Sequence, residues 1–104
     1  MLDWVGRIVR ATAGRDKDGL FCVVGVDQEG MRLLLADGKR RKASHPKAKK
    51  LAHVKPLTDH LEGFDHPAIQ KLKQGETLSD KELRRTLAAF RDEYGGMTLW
   101  QKTT

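Results

Sequence analysis

Short apolar runs separated by turn-forming residues fill the first half of this chain. Residues 5–10, 20–26 and 31–36 are rich in apolar side chains, and each run predicts a β-strand. Residues 13–19 combine glycines with aspartates, and residues 27–30 end in glycine, so both segments predict tight turns. Short strands joined by tight turns within about 55 residues favour a small, strongly bent barrel, because closure removes exposed strand edges.

Two further strands are predicted after the turn signal at residues 37–38. The first covers residues 39–42, where every side chain is basic, and the second is a short strand over residues 51–54. Pro46 has no N–H to donate to a strand ladder. We therefore expect residues 44–50 to form a loop that carries flexible lysines.

The second half of the chain has the period of a helix. Residues 67–73 predict a short helix that begins with a proline and ends near Gly75. A second helix is predicted to follow, with Ser79 as its N-cap and Glu82 as the capping-box partner. It should end at the two glycines of residues 95–96.

This change of period divides the chain into three parts. We expect a barrel over residues 1–57, a helical C-terminal extension over residues 58–94 and a loosely ordered tail over residues 95–104. The fold class is thus mainly β with C-terminal α. A chain of 104 residues has room for one compact domain with a modest core, and we expect a monomer.

Positive charge is concentrated in the predicted barrel. Residues 1–57 hold 13 Lys and Arg against 6 Asp and Glu, whereas residues 58–104 hold 7 against 8. Residues 38–58 contain no acidic residue at all. Segregated charge of this kind is typical of a phosphate-binding surface, although lysines also protect strand edges from unwanted pairing.

Composition argues against several other classes of protein. The single cysteine, Cys22, lies in an apolar run and is expected to be a buried core residue, since it has no partner for a disulfide. No apolar run is long enough to span a membrane, and a cytoplasmic location is expected. We find no nucleophile or nucleotide-binding motif, so we expect a non-enzyme without a cofactor. His60 and His66 give only a weak signal for a metal site, and none is predicted.

The order of residues in the first half resembles a KOW motif. Residues 6–9 read GRIV, residues 13–17 read AGRDK, and a valine-rich strand follows at residues 21–26. Residues 35–42 and 46–54 extend the match through a DG hairpin and a PKAKKLAHV segment. The pattern is similar to that of bacterial KOW domain-containing RNA-binding proteins, and through them to the fourteenth large-subunit protein of archaeal and eukaryotic ribosomes.

The resemblance implies an SH3-like barrel whose loops and basic edge contact RNA. It is looser over residues 78–84, and Asp18 departs from the pattern, which more often has a small residue there. The expected function is therefore an RNA-binding protein of the translation apparatus that contacts structured RNA, with ribosomal RNA as the main candidate. The candidate RNA-binding residues are Arg7, Arg10, Gly14, Arg15, Lys17, Lys39, Arg40, Arg41, Lys42, His45, Lys47, Lys49, Lys50 and His53.

Two alternatives remain open from the sequence. The barrel is also compatible with a protein-interaction adaptor, in which the basic edge meets an acidic protein and the amphipathic helix over residues 79–94 supplies a second contact. His45 and His53 fit either RNA contact or a partly buried position at a strand end. Aromatic residues do not alternate with the basic ones, which favours recognition of RNA through its backbone and shape over stacking on single strands.

Overall fold

The computed structural model describes residues 2–58 and 64–94 of the chain. Its first half consists of five β-strands and two single-turn 3-10 helices, over Leu2–Trp4 and Leu51–His53. All neighbouring strands are antiparallel, and their order in the sheet is β4-β3-β2-β1-β5. The strands are β1 (Ile8–Ala11), β2 (Leu20–Asp27), β3 (Arg32–Ala36), β4 (Lys47–Lys50) and β5 (Val54–Pro56).

The sheet is curled because its two outermost strands are joined by a very short connection. β4 and β5 stand at opposite ends of the strand order, yet only Leu51–His53 lies between them. In a flat sheet these strands would be about 19 Å apart, since neighbouring strands are about 4.8 Å apart. A 3-10 helix of three residues rises only about 6 Å. The sheet must therefore bend into a barrel-like shape, which confirms the predicted fold class.

Side chains alternate between the two faces of the sheet, and both faces are buried. Along β2, Phe21 and Val23 point into the barrel interior, whereas Cys22 between them belongs to the outer face. The interior cluster draws on four strands and comprises Val9, Ala11, Phe21, Val23, Leu33, Leu35 and Val54. The first core thus lies inside the barrel.

Two helices form where the sequence predicts them. α1 (Pro67–Lys73) begins with its proline, and the His66 side chain caps it by accepting a hydrogen bond from the Ala68 N–H at 3.2 Å. α2 spans Asp80–Tyr94. The predicted capping box is present before it, because the Glu82 N–H donates to Ser79 Oγ at 3.1 Å and the Ser79 N–H donates to Glu82 Oε1 at 3.0 Å.

The helices cover the outer face of the sheet and create a second core. Ile8, Cys22 and Ala36 of the sheet belong to the same buried cluster as the apolar side chains of α1 and α2. From the helical half this cluster takes Ala68, Ile69, Leu72, Leu78, Leu83, Leu87 and Phe90. Consequently α2 is fixed against the barrel, and its position relative to the barrel loops is defined by packing.

The predicted strand over residues 39–42 is wrong. These residues form a turn, because the Asp37 side chain accepts hydrogen bonds from the N–H groups of Lys39 and Arg41, both at 2.9 Å. The fourth strand lies at Lys47–Lys50 instead, within the segment predicted as a flexible loop. Pro46 immediately precedes it, so the missing N–H is not needed by the ladder.

The last predicted strand is displaced as well. Residues 51–53 form the 3-10 helix, and β5 begins at Val54. Residues three apart lie on one side of a 3-10 helix, so the apolar spacing of Leu51 and Val54 suits this helix as well as a strand. The predicted tail over residues 95–104, the helix stop at residues 95–96 and His60 lie outside the described residues.

The second core makes a first prediction about stability. Leu83 is completely buried between α2 and the sheet. Replacing it with Ala should lower the free energy of unfolding by about 2–5 kcal/mol, since a cavity replaces the lost contacts. Arg85→Ala on the exposed side of α2 is the matched control and should change the free energy of unfolding by no more than about 0.5 kcal/mol. Urea denaturation measures both, and equal values would contradict a shared core.

Candidate functional site

Three segments distant in sequence come together on one surface, and each carries exposed cations. They are the β1–β2 loop (residues 12–19), the turn after β3 (residues 37–42) and one side of α2. We call this surface the basic junction. Its exposed cations, none of which forms an ion pair within the described residues, are Arg15, Lys17, Lys39, Arg40, Lys42, Arg84 and Arg91.

A buried carboxylate joins the loop to the turn. Asp16 of the loop is only 2% exposed, and it accepts hydrogen bonds from Arg41 Nη2 at 2.9 Å and Arg41 Nε at 3.3 Å. The Lys49 ammonium of β4 lies 3.9 Å from the same carboxylate. The two-pronged pair with Arg41 fixes both the distance and the orientation of the turn relative to the loop.

The electrostatics of Asp16 follow from these contacts. The hydrogen bond from Arg41, together with the positive charges of Arg41 and Lys49, holds the pKa of Asp16 below its ordinary value of 3.8, although burial acts in the opposite direction. Asp16 is therefore ionised at neutral pH. Its negative charge offsets part of the positive charge of Arg41 and Lys49.

Helix α2 holds the turn from the other side. Arg84 Nη1 donates to the Gly38 carbonyl at 2.8 Å, and the Ala43 N–H donates to the Asp80 carboxylate at 2.7 Å. Gly38 has a φ of +80°, and a Cβ there would collide with the backbone carbonyl of Asp80. Only glycine satisfies both the turn and the close approach of α2.

The β1–β2 loop and α2 also lie close to each other, in addition to the contacts that each makes with the turn. Arg91 of α2 lines a cleft together with Asp18 and Gly19 of the loop, and Arg10 and Leu20 of the adjoining strands complete it. Asp18, the departure from the KOW pattern, has a φ of +71°. Aspartate is among the few residues that adopt this left-handed conformation without a large cost, so the loop keeps its shape.

Five of the candidate RNA-binding residues lie in the basic junction as exposed cations. They are Arg15, Lys17, Lys39, Arg40 and Lys42. Arg41 and Lys49 are also nearby, but both are engaged by Asp16, and the Lys49 side chain is only 8% exposed. The structure thus separates cations that are available to a partner from cations that hold the surface together.

Other candidates lie along the strands next to the basic junction. Lys47 and Lys50 are exposed at the two ends of β4, and Lys50 lies opposite Arg32 of β3. His45 is exposed, with its Nδ1 atom 3.1 Å from Ser44 Oγ. His53 is exposed as well, and its carbonyl accepts a hydrogen bond from the Thr12 N–H at 2.8 Å, which places it beside the β1–β2 loop.

Arg7 and Gly14 have local structural roles. The Arg7 guanidinium lies 4.5 Å from the centre of the Trp4 ring and pairs with Asp3 at 3.5 Å, so the structure does not bring it into the basic junction. Gly14 has a φ of +81°, and a Cβ there would lie 3.0 Å from the Lys49 ammonium. This glycine therefore allows the loop to turn and Lys49 to pass beneath it.

Arg84 and Arg91 are site residues that the sequence reasoning missed. They stand seven positions apart on α2, two turns of helix, and so lie on one side of it. One sequence signal points to them: Arg84 and Arg91 stand on either side of Leu87 in the chain, and Leu87 belongs to the apolar face of α2 that packs against the barrel. Without the packing of α2 on the sheet, nothing connects these arginines with the turn at residues 37–42.

Two other kinds of feature were sought among the described residues. No group of three His, Cys, Asp or Glu side chains is placed to bind a metal ion, and no described helix is long and apolar enough to cross a membrane. Cys22 is buried as predicted, and burial raises the pKa of its thiol to about 12, which leaves it unreactive. No protein-family model matches the chain, and a search of curated proteins finds no match either.

The Asp16 cluster makes a second prediction. Asp16→Asn keeps the side-chain shape but leaves Arg41 and Lys49 without their carboxylate, so the free energy of unfolding at pH 7 should fall by roughly 2–3 kcal/mol. Because folding lowers the pKa of Asp16, the wild type has this stabilisation above pH 3.8 and loses it as the pH falls through the folded-state pKa.

Urea denaturation at pH 7 and at pH 2–3 measures both effects. The variant should lack the part of the acid destabilisation that comes from Asp16, so the two proteins should approach each other in stability at low pH. Asp92→Asn, at an exposed carboxylate on α2, is the control and should behave like the wild type. Equal stability of wild type and Asp16→Asn at pH 7 would show that the cluster does not hold the loop and turn together.

Proposed function

We propose that this chain binds structured RNA, with ribosomal RNA as the main candidate, through contacts between the basic junction and backbone phosphates. One observation carries the proposal: exposed cations from three segments converge on a surface where no carboxylate of the described residues pairs with them. Unpaired cations gathered on one surface attract a polyanion more strongly than the same charges spread over a sphere.

The residue types on this surface favour contact with the backbone. Arginine guanidinium groups pair with phosphate oxygens through two parallel hydrogen bonds, and lysine ammonium groups act as mobile point charges. Among the described residues the one large hydrophobic side chain that is strongly exposed is Met31, so the surface lacks aromatic platforms on which unpaired bases stack. A folded or helical RNA, read by its phosphates and shape, fits better than a single strand.

The resemblance of residues 5–54 to KOW sequences supports the same class of partner. It adds the expectation of a protein of the translation apparatus. A cytoplasmic location and a monomeric state are further parts of the proposal and do not come from the resemblance. The proposed role is binding alone, without catalysis or a cofactor. The barrel over residues 1–57 would carry most of the RNA contacts, with the helical extension over residues 58–94 contributing its two arginines.

The adaptor alternative receives no support from the packing of α2. Its apolar side chains Leu83, Leu87 and Phe90 are buried against the sheet of the same chain and are not available to a partner. Copurification from cells with and without nuclease treatment separates the two functions. Partners that disappear when RNA is digested support RNA binding, whereas an acidic protein that remains supports the adaptor.

The proposal predicts a strong dependence of RNA affinity on salt. Each phosphate that a cation neutralises releases condensed counterions, which adds roughly 0.7–0.9 to the slope of log K against log salt concentration. Filter binding with a structured ribosomal RNA fragment measures this slope. The KCl concentration is varied between about 50 and 300 mM, a range over which charge screening changes strongly. An affinity that does not change with salt would contradict the proposal.

A charge-matched pair of variants tests the location of the surface. The first variant combines Lys39→Ala, Arg40→Ala and Lys42→Ala. It removes three cations of the basic junction and should reduce the salt slope by roughly 2–3. The control combines Arg32→Ala, Lys73→Ala and Arg85→Ala, which removes three exposed cations outside the basic junction and should leave the slope nearly unchanged. An equal loss in both triple variants would indicate attraction by net charge without a defined surface.

A further inference from the structure

A cleft of about 350 Å³ opens beside the basic junction, between the sheet and α2. It is lined by Arg10 of β1, Asp18 and Gly19 of the β1–β2 loop, Leu20 of β2 and Arg91 of α2. Arg10 and Arg91 are separated by most of the chain and meet here because α2 packs on the outer face of the sheet. The cleft is therefore a product of the tertiary fold.

Arg10 reaches the cleft with the outer part of its side chain. Its Nε atom is buried from solvent and has no hydrogen-bond partner among the described residues. An atom that water cannot reach is not available to a ligand in the open cleft, so contact with a ligand falls to the terminal Nη groups. Arginine has five N–H donors and no acceptor, so a group bound there must bring acceptor oxygens.

The charge around the cleft favours an anion. Two arginines line it against a single carboxylate, Asp18, and that carboxylate forms no ion pair with either arginine. Lys55 of β5 lies directly opposite Arg10 in the strand register, and residues opposite each other in antiparallel strands point to the same face. The local charge is thus positive even with Asp18 ionised.

We infer that this cleft binds a single phosphoryl group, with Arg10 and Arg91 donating hydrogen bonds to its oxygens. Phosphate oxygens match the planar guanidinium group, and a phosphoryl group is small enough for the cleft. Leu20 and the backbone of Gly19 form an uncharged wall beside it. The same chemistry is offered by a backbone phosphate of RNA and by a free phosphate.

A second observation connects the cleft with the surface proposed for RNA. Arg91 also lines a neighbouring cavity together with Lys39 and Arg84 of the basic junction. A backbone that crosses the basic junction would therefore pass Arg91 and place one phosphate in the cleft. The inference that this phosphate belongs to RNA rests on the proposed function. The inference that the cleft binds a phosphoryl group does not.

Nuclear magnetic resonance of arginine side chains tests the inference directly. The buried Arg10 Nε–H should give a resolved signal in the wild-type protein, and titration with inorganic phosphate should shift it. The Arg7 Nε–H is the internal control, because its guanidinium stacks on Trp4 and pairs with Asp3. Chloride at equal ionic strength should shift neither signal, and an Arg10 signal that ignores both phosphate and RNA would overturn the inference.

Two substitutions should move the phosphate affinity in opposite directions. Arg91→Gln removes one donor and should weaken binding by about tenfold, with Arg85→Gln as the control on an exposed part of the same helix. Asp18→Asn removes the one repelling charge, and asparagine tolerates the same left-handed backbone. This variant should bind phosphate about two- to threefold more tightly, and a weaker affinity would contradict an anion site here.

The RNA arm of the experiment separates this inference from the proposed function. If Arg10 shifts with phosphate but the protein binds no RNA, the cleft stands and the proposed function fails. Suppose that RNA binds the wild type and Arg91→Gln equally well, and that neither RNA nor phosphate shifts the Arg10 signal. The proposed function then stands and only the cleft inference fails. A shift of Arg10 with RNA but not with inorganic phosphate assigns the phosphoryl group to the RNA backbone.

Discussion

Burial of both faces of the sheet is the constraint on which the rest of this molecule depends. A strand that alternates apolar with polar side chains needs only one core, but here several positions between the interior residues are apolar too. Ile8, Cys22 and Ala36 make a continuous part of the outer face apolar, so that part has to be covered. α1 and α2 supply that cover. The barrel and the helices therefore form one packed structure, whatever boundary the sequence suggests between them.

The functional surface follows from this packing, since it is α2 that brings a second source of arginines to the barrel loops. The turn at residues 37–42 is held from two directions, by Asp16 through Arg41 and by α2 through Arg84. These contacts fix the backbone of the turn, so Lys39, Arg40 and Lys42 stay close together although their side chains are mobile. A surface of this kind is ready for an anion before the anion arrives, which lowers the cost of ordering on binding.

Much of the fold could be predicted from local sequence signals, because those signals act within a few residues. The capping box at Ser79 and Glu82 and the proline at the start of α1 each satisfy backbone groups next to them in the chain. Cys22 was predicted as a core residue from its apolar neighbours. These features need no knowledge of what lies across the molecule.

The remainder depends on contacts between distant segments, and there the sequence reasoning failed. Four consecutive basic residues resemble an exposed strand, but the Asp37 side chain bonds two of their N–H groups and closes a turn. A count of charges along the sequence does not distinguish Arg41 from Arg40. The structure does, because Asp16 pairs with Arg41 and leaves Arg40 exposed. Arg91 joins the surface through the packing of α2, which no local pattern encodes.

Lysine footprinting by acetylation, with and without structured RNA, tests the central claim most directly, because it reports each side chain separately. The account predicts that RNA protects Lys39 and Lys42 of the basic junction, while Lys73 on α1 stays equally reactive. Lys49, buried beside Asp16, should react slowly in both states. Uniform protection of all exposed lysines, or protection of Lys73 alone, would contradict the account.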